Sequence, residues 1–268
     1  MMTDVQFQRY CDLIYYRLGI KTTPGKRDAL QSKIDKLLHQ NRLKSYEEYY
    51  DLLINEDNGK YWPEFVHEIT VHESSFFREN NHFEFIRTQL RHILDSNPRI
   101  MKNKEIRAWS AGCSSGEEAY TLAMVFREWL PAGIKIIILA TDVSAHSLAQ
   151  AQTGLYPHTI KKEMDPYFLL EYFTYTKAGY QIKPKLQELI TFRRFNLIDP
   201  FPFQQSFDLI FCRNVMIYFD NAVQEELIRK FYEVLIPGGI LFVGHSESLL
   251  ARNAMFKYLQ PTVYQREK

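Results

Sequence analysis

The chain has little that would suit a secreted or membrane-embedded protein. Its three cysteines, Cys11, Cys113 and Cys212, are odd in number, far apart and outside any CxxC spacing. That argues against a disulfide framework or a thiolate zinc site and leaves them as small core residues, with no metal expected. No apolar run approaches the roughly 20 residues a membrane span requires, and the opening MMTDVQFQRYCDL lacks the apolar stretch of a signal peptide. A cytoplasmic protein without direct membrane insertion is the expectation. An excess of one charge sign is also missing: the formal net charge is +1, so no global field draws the chain to nucleic acid or an anionic membrane. Internal repeats and low-complexity segments are absent. With 268 residues, 46% of them hydrophobic, one large core and a small accessory domain are expected.

The hydrophobic pattern changes along the chain. Up to about residue 95 it is helical: Leu30, Ile34, Leu37 and Leu38 recur at helical spacing, and a second amphipathic run covers 46–53. From about residue 105 short β-rich runs alternate with helical stretches, the signature of a mainly parallel sheet covered by helices. Strands are predicted at 106–110, 134–140, 189–195, 207–212, 240–244 and 262–265, and helices at 117–129, 144–151 and 222–235. The last helix is expected to stop at Pro237-Gly238-Gly239. The reading divides the chain into a helical domain at 1–95 and an α/β domain at 96–268. An insertion at about 155–188 carries weak strand signals at 172–176 and 179–182, which suggests a small β-subdomain.

Four segments carry chemistry. Trp109-Ser110-Ala111-Gly112-Cys113-Ser114-Ser115-Gly116-Glu117-Glu118 follows the first strand and opens a helix, where small residues and free N–H groups let a ligand approach the backbone. Its spacing departs from the GxGxxG of dinucleotide sites, which weakens a nicotinamide reading. The second strand ends in Asp142, an acid that can accept both hydrogen bonds of a ribose diol in either an NAD or an adenosylmethionine site. Phe207 to Cys212 reads as a buried strand ending in Arg213-Asn214, at the sheet edge where open α/β folds bind ligands. Upstream, Ser74-Ser75-Phe76-Phe77-Arg78-Glu79 offers a guanidinium that could grip a carboxylate or remain a solvated charge.

As an ordered set these segments resemble the CheR-type chemotaxis receptor methyltransferases. The matching stretches are Thr70 to Glu79, Trp109 to Glu118, Ala140-Thr141-Asp142-Val143-Ser144, Phe207 to Asp220, Pro237-Gly238-Gly239 and Gly244-His245-Ser246-Glu247-Ser248. Departures are His72 for the family's usual Asn, Ser74 for its Thr and Ala119 for a common Pro. The resemblance implies an N-terminal all-helical domain, a Rossmann-like domain dependent on S-adenosyl-L-methionine and an inserted antiparallel β-subdomain. It implies cofactor contacts from His72, Ser74, Arg78, Glu118, Asp142, Asn196, Leu197, Arg213 and Asn214. Tyr218 would lie beside the sulfonium, with Arg213 positioning the reacting end. Glu117 and Glu118 point apart on a helix, and the carry-over favours Glu118.

The implied reaction is in-line methyl transfer to a glutamate carboxylate, leaving S-adenosyl-L-homocysteine. A carboxylate with an ordinary pKa of about 4.3 is ionised at neutral pH, so no general base is needed and alignment and desolvation remain. The implied partner is the cytoplasmic helical domain of methyl-accepting chemotaxis receptors. Seven Lys/Arg against two Asp between Lys21 and Lys44 suit an acidic acceptor, with Lys33 and Lys36 expected to face outward and dock it. The short Thr176-Lys177-Ala178-Gly179 connection leads us to expect no dependence on a C-terminal receptor pentapeptide. A silent cofactor-binding module, and a methyltransferase acting on RNA or a small molecule, are the rival readings.

Overall fold

The computed structural model describes residues 1–55, 59–247 and 255–267; Ser248, the last residue of the Gly244 motif, lies outside them. Four helices open the chain: α1 (Asp4–Leu18), α2 (Arg27–Asn41), α3 (Tyr46–Ile54) and α4 (Tyr61–Ile69). Thr3 and Gln6 form a reciprocal capping box at the start of α1, and Gly19 ends it in the left-handed conformation. The apolar faces of these helices enclose a core of their own, which includes Tyr10, Ile14, Ile34, Tyr49, Leu53 and Phe65.

Three short helices follow, α5 (Asn81–Thr88), α6 (Leu90–Ser96) and α7 (Pro98–Asn103). The sequence reading assigned most of this stretch to the helical domain. Phe76, Phe83, Phe85, Ile86, Ile93 and Ile100 instead pack in the core beneath the large sheet. The start of α7 is tied to the sheet by Asp208, whose buried carboxylate at the start of a central strand accepts from Asn97 Nδ2 (2.6 Å), the Arg107 amide (2.7 Å) and the Arg99 guanidinium.

The sheet is built from β1 (Glu105–Ala111), β2 (Lys135–Asp142), β6 (Ile190–Arg194), β7 (Phe207–Cys212), β8 (Leu235–Val243), β9 (Phe256–Gln260) and β10 (Val263–Arg266), in the order β6-β2-β1-β7-β8-β10-β9. Strands β6, β2, β1, β7 and β8 run parallel, and β10 is antiparallel to both of its neighbours. Helices α8 (Glu117–Trp129), α9 (Ala145–Thr153) and α12 (Asn221–Val234) make the crossovers. All six residues of β7 are buried, as expected of a strand covered on both faces. Alternation sends Leu209 and Phe211 into the core on one side and Ile210 and Cys212 into the other, and Phe207, before the register shift, joins the latter. The strand order reverses between β1 and β7, so the ligand crevice is expected at their carboxyl ends.

Two expectations need correction. Helix α12 ends at Val234 without help from Pro237-Gly238-Gly239, which lies inside β8. There the register with β7 jumps from Phe207↔Leu235 to Leu209↔Ile240, a bulge that tolerates proline within a sheet. The final hairpin also has a strand, β9, that the sequence reading missed. The insertion does form a separate antiparallel sheet, β3-β5-β4, from β3 (Leu155–Tyr156), β4 (Phe173–Thr176) and β5 (Gly179–Ile182). Among the described residues no helix is long and apolar enough to cross a membrane.

Candidate active site

The turn after β1 shapes the cleft floor. Gly112 has φ +89°, and a Cβ there would stand 2.5 Å from Val215 Cγ2, so only glycine lets this turn pass under the β7 loop. Ser114 also takes a positive φ. Its amide donates to Asp142 Oδ2 (2.9 Å) and its hydroxyl to the His72 carbonyl (3.1 Å). The Ser144 amide donates to the other oxygen of Asp142. Burial pushes the Asp142 carboxyl up, and these backbone donors oppose the shift. Each oxygen keeps a lone pair for a further donor.

Helix α8 begins at Gly116, and its first two side chains diverge. Glu117 turns away from the cleft, with Ser115 Oγ donating to its carboxylate, and its pKa is raised by burial. Glu118 faces the cleft, accepting from Ser110 Oγ (2.6 Å) and from Arg213 Nε (2.7 Å). Of the two, Glu118 lines the cleft and Glu117 does not.

The loop before α5 forms one wall. Phe77 and Glu79 both have positive φ, a concentration of backbone strain of the kind found at functional sites. One nitrogen of Arg78 donates to the Glu73 carbonyl (2.8 Å), and among the described residues the rest of the guanidinium has no hydrogen-bond partner in the cleft it lines. Ser74 lines it too.

His72 lines the cleft in a different way from the one expected. Its Nε2 lies 2.8 Å from the His67 carbonyl and its Nδ1 2.9 Å from Ser147 Oγ, so both ring nitrogens are spent on protein. What it offers the site is its carbonyl, which holds Ser114. The ring stacks on His67, which stacks in turn on His146. Burial, with these two imidazoles adjacent, lowers His67 to about 4.

Arg213, at the carboxyl end of β7, is only 6% exposed. Its guanidinium donates to Glu118, to the Arg78 carbonyl (2.7 Å) and to His82 Nδ1 (3.2 Å), and lies 3.5 Å from Glu79 Oε2. Its Nε and Nη1 are engaged by these protein partners, and Arg213 also lines the cleft. Asn214, at φ +59°, donates its amide N–H to Glu247 Oε2 and its side-chain Nδ2 to Glu79 Oε1. Glu247 also accepts from the Gly244 and Ile217 amides and thereby folds the loop that presents Tyr218. The Tyr218 hydroxyl has no hydrogen-bond partner among the described residues, and burial raises its pKa while Arg78 nearby lowers it. Glu79, Glu247 and Ser114 stood inside quoted motifs but were given no role; His82 carried no signal beyond its sequence neighbours.

The far end of the cleft is closed by the helical domain. Leu18, Ile20, Phe195, Asn196 and Leu197 line it. Asn196 Nδ2 donates to the Arg17 carbonyl (2.7 Å), and the Lys21 amide to the Tyr218 carbonyl (2.9 Å). Every predicted cofactor residue and Tyr218 therefore line one cleft. Lys33 and Lys36 lie elsewhere, on α2. Lys36 is exposed and paired with Glu68 (2.6 Å). Lys33, expected to face out, is half-buried with Nζ on the Ile69 carbonyl (3.2 Å), because its stem packs over the start of the linker after α4; burial lowers its pKa.

An acid at the end of β2, a tight turn after β1 and a switch point between β1 and β7 define a Rossmann-like cofactor site, and the relatives of the chain identify its class as that of the adenosylmethionine-dependent methyltransferases. Residues 72–265 match the family described as CheR methyltransferase, SAM binding domain, and residues 6–70 its CheR methyltransferase, all-alpha domain. The chain is 34% identical over 270 residues to a chemotaxis protein methyltransferase of Borreliella burgdorferi, covering 99% of this chain and 95% of that one. It is 32% identical over 273 residues to the Escherichia coli protein of the same name, covering 100% and 92%. A chemotaxis protein methyltransferase 2 of Vibrio cholerae is 31% identical over 261 residues, covering 96% and 90%. The chain belongs to the CheR methyltransferase family.

Proposed function

We propose that this protein transfers a methyl group from S-adenosyl-L-methionine to glutamate side chains on the cytoplasmic helices of chemoreceptors, forming methyl esters, and works in the cytoplasm. The observation that carries this is the order of side chains at the carboxyl edge of the sheet: Asn196 and Leu197 follow β6, Asp142 ends β2, Glu118 follows β1 and Arg213 follows β7, in the strand order β6-β2-β1-β7, and all of them line one cleft with Arg78. That order suits a base, a ribose and a zwitterionic amino acid in sequence. Arg78 has unspent donors for a carboxylate, Glu118 accepts from an ammonium, and both Asp142 oxygens can receive a ribose hydroxyl. Bound there, the cofactor supplies an electrophilic methyl on a positively charged sulfur.

The chain's own residues then align and desolvate. Tyr218, with its free hydroxyl at the cleft mouth, positions the incoming carboxylate, while Arg213 fixes Glu118 and the Arg78 backbone from behind. No residue needs to move a proton, since the acceptor is already ionised.

Lys36, on the basic face of α2, is the better of the two docking candidates, because Lys33 is tied to the backbone. The β4–β5 connection has Thr176 opposite Gly179, and so short a turn supports methylation that does not depend on a receptor C-terminal pentapeptide. Receptor fragments with and without their last residues, methylated side by side, test that point: equal rates are expected, and a large loss on truncation refutes it. For docking, Lys36→Glu should slow receptor methylation about tenfold at low salt without changing S-adenosyl-L-homocysteine affinity.

A further inference from the structure

We propose that His82 is a positioning residue for Arg213, and that the Thr262 hydroxyl fixes the tautomer through which it acts. His82 sits on α5, fully buried, and lines no part of the cleft. A guanidinium can only donate, so His82 Nδ1 accepts from Arg213 Nη1 at 3.2 Å. The other nitrogen lies 2.8 Å from Thr262 Oγ1. That hydroxyl spends its own hydrogen on the Pro261 carbonyl (2.8 Å), so it must accept, and His82 Nε2 carries the proton. A relay of fixed polarity runs from the turn before β10, through the core, to the guanidinium that holds Glu118.

Two observations support a built arrangement. Thr262 has φ +61°, a left-handed conformation that is unfavourable for a β-branched residue, and it aims a hydroxyl at His82. Glu79, His82 and His245 bring ligand atoms within 4.8 Å of one another, a donor set that would suit a divalent cation. Yet Arg213 Nη1 lies 3.2 Å from His82 Nδ1 and 3.5 Å from Glu79 Oε2. The guanidinium is the cation this cluster serves. Burial and the adjacent guanidinium hold His82 neutral, at about 3, the form that can accept from Arg213.

The inference rests on the reading of Arg213 and Glu118 as part of the cofactor site, and the test separates the two. S-adenosyl-L-homocysteine affinity and melting temperature are measured on full-length His82→Leu, His82→Asn, Thr262→Gly and Arg213→Ala. We expect His82→Leu to weaken binding at least tenfold. His82→Asn, whose amide oxygen can replace Nδ1 as acceptor, should recover most of that loss. Thr262→Gly removes the hydroxyl and relieves the left-handed backbone, so binding should fall severalfold with no drop in melting temperature; it also serves if His82→Leu does not fold. Wild-type affinity in Thr262→Gly and His82→Leu, or an Asn variant no better than Leu, overturns the positioning role alone when Arg213→Ala loses binding. Unchanged affinity in Arg213→Ala overturns the reading of the cleft and this inference with it.

Discussion

At the residue scale the cleft works because each charged group is restrained before a ligand arrives. Asp142 is held by two backbone amides and Glu118 by Ser110 and Arg213, so little side-chain entropy remains to be lost on binding. Removing Asp142 with Asp142→Ala should weaken S-adenosyl-L-homocysteine by about 10- to 100-fold, the range for losing two charge-assisted hydrogen bonds, as read by calorimetry. His82 makes a prediction about pH. Its pKa falls from 6.5 to about 3 on folding, so below pH 6.5 the unfolded chain takes up a proton that the folded chain refuses. The stability His82 contributes is complete above pH 6.5 and declines as pH falls toward 3, at up to about 1.4 kcal/mol per pH unit. Urea midpoints compared between wild type and His82→Asn isolate this slope from that of the raised carboxyls Asp142, Glu117 and Glu247, which runs the opposite way. Identical pH dependence in the two proteins contradicts it. Motif residues such as Arg78 and Asp142 were legible because their chemistry is local to a strand end or a loop. His82 was not, because its meaning depends on Thr262, 180 residues away.

At the element scale, β7 was read with its final boundaries, since six consecutive buried residues between polar flanks leave few alternatives. Helix α8 was equally clear. Pro237-Gly238-Gly239 misled because proline and glycine signal a break in either kind of element, and only the register with β7 reveals a bulge. Gly238 has φ +83°, and a Cβ would come within 2.3 Å of the Ser96 carbonyl, so Gly238→Ala should cost at least about 2 kcal/mol in chemical denaturation. Helices α5 and α6 were grouped with the helical domain for a related reason: helical periodicity says nothing about which core an apolar face will join. Asp208 ties the start of α7 to β7 through Asn97 and Arg99. Asp208→Ala should cost about 1–3 kcal/mol, the usual penalty for leaving a buried donor such as Asn97 Nδ2 unsatisfied, and should loosen α7 from the sheet in hydrogen exchange.

At the scale of the whole molecule, the helical domain is part of the cofactor cleft. The Arg17 carbonyl receives Asn196, and the strand-like bridge Ile20↔Phe219 ties the α1–α2 linker to the Tyr218 loop. A receptor helix docked on the basic face of α2 would bear on the same domain. Cofactor binding should therefore slow amide exchange at Lys21 as well as in the turn after β1, and protection confined to the α/β domain contradicts this coupling. The most direct test of the whole account is methyl transfer from labelled S-adenosyl-L-methionine to a purified chemoreceptor cytoplasmic fragment, with Asp142→Ala alongside. The account predicts base-labile label on the receptor that disappears in the variant. Tight cofactor binding with no label on any receptor, or label that resists base, would contradict it.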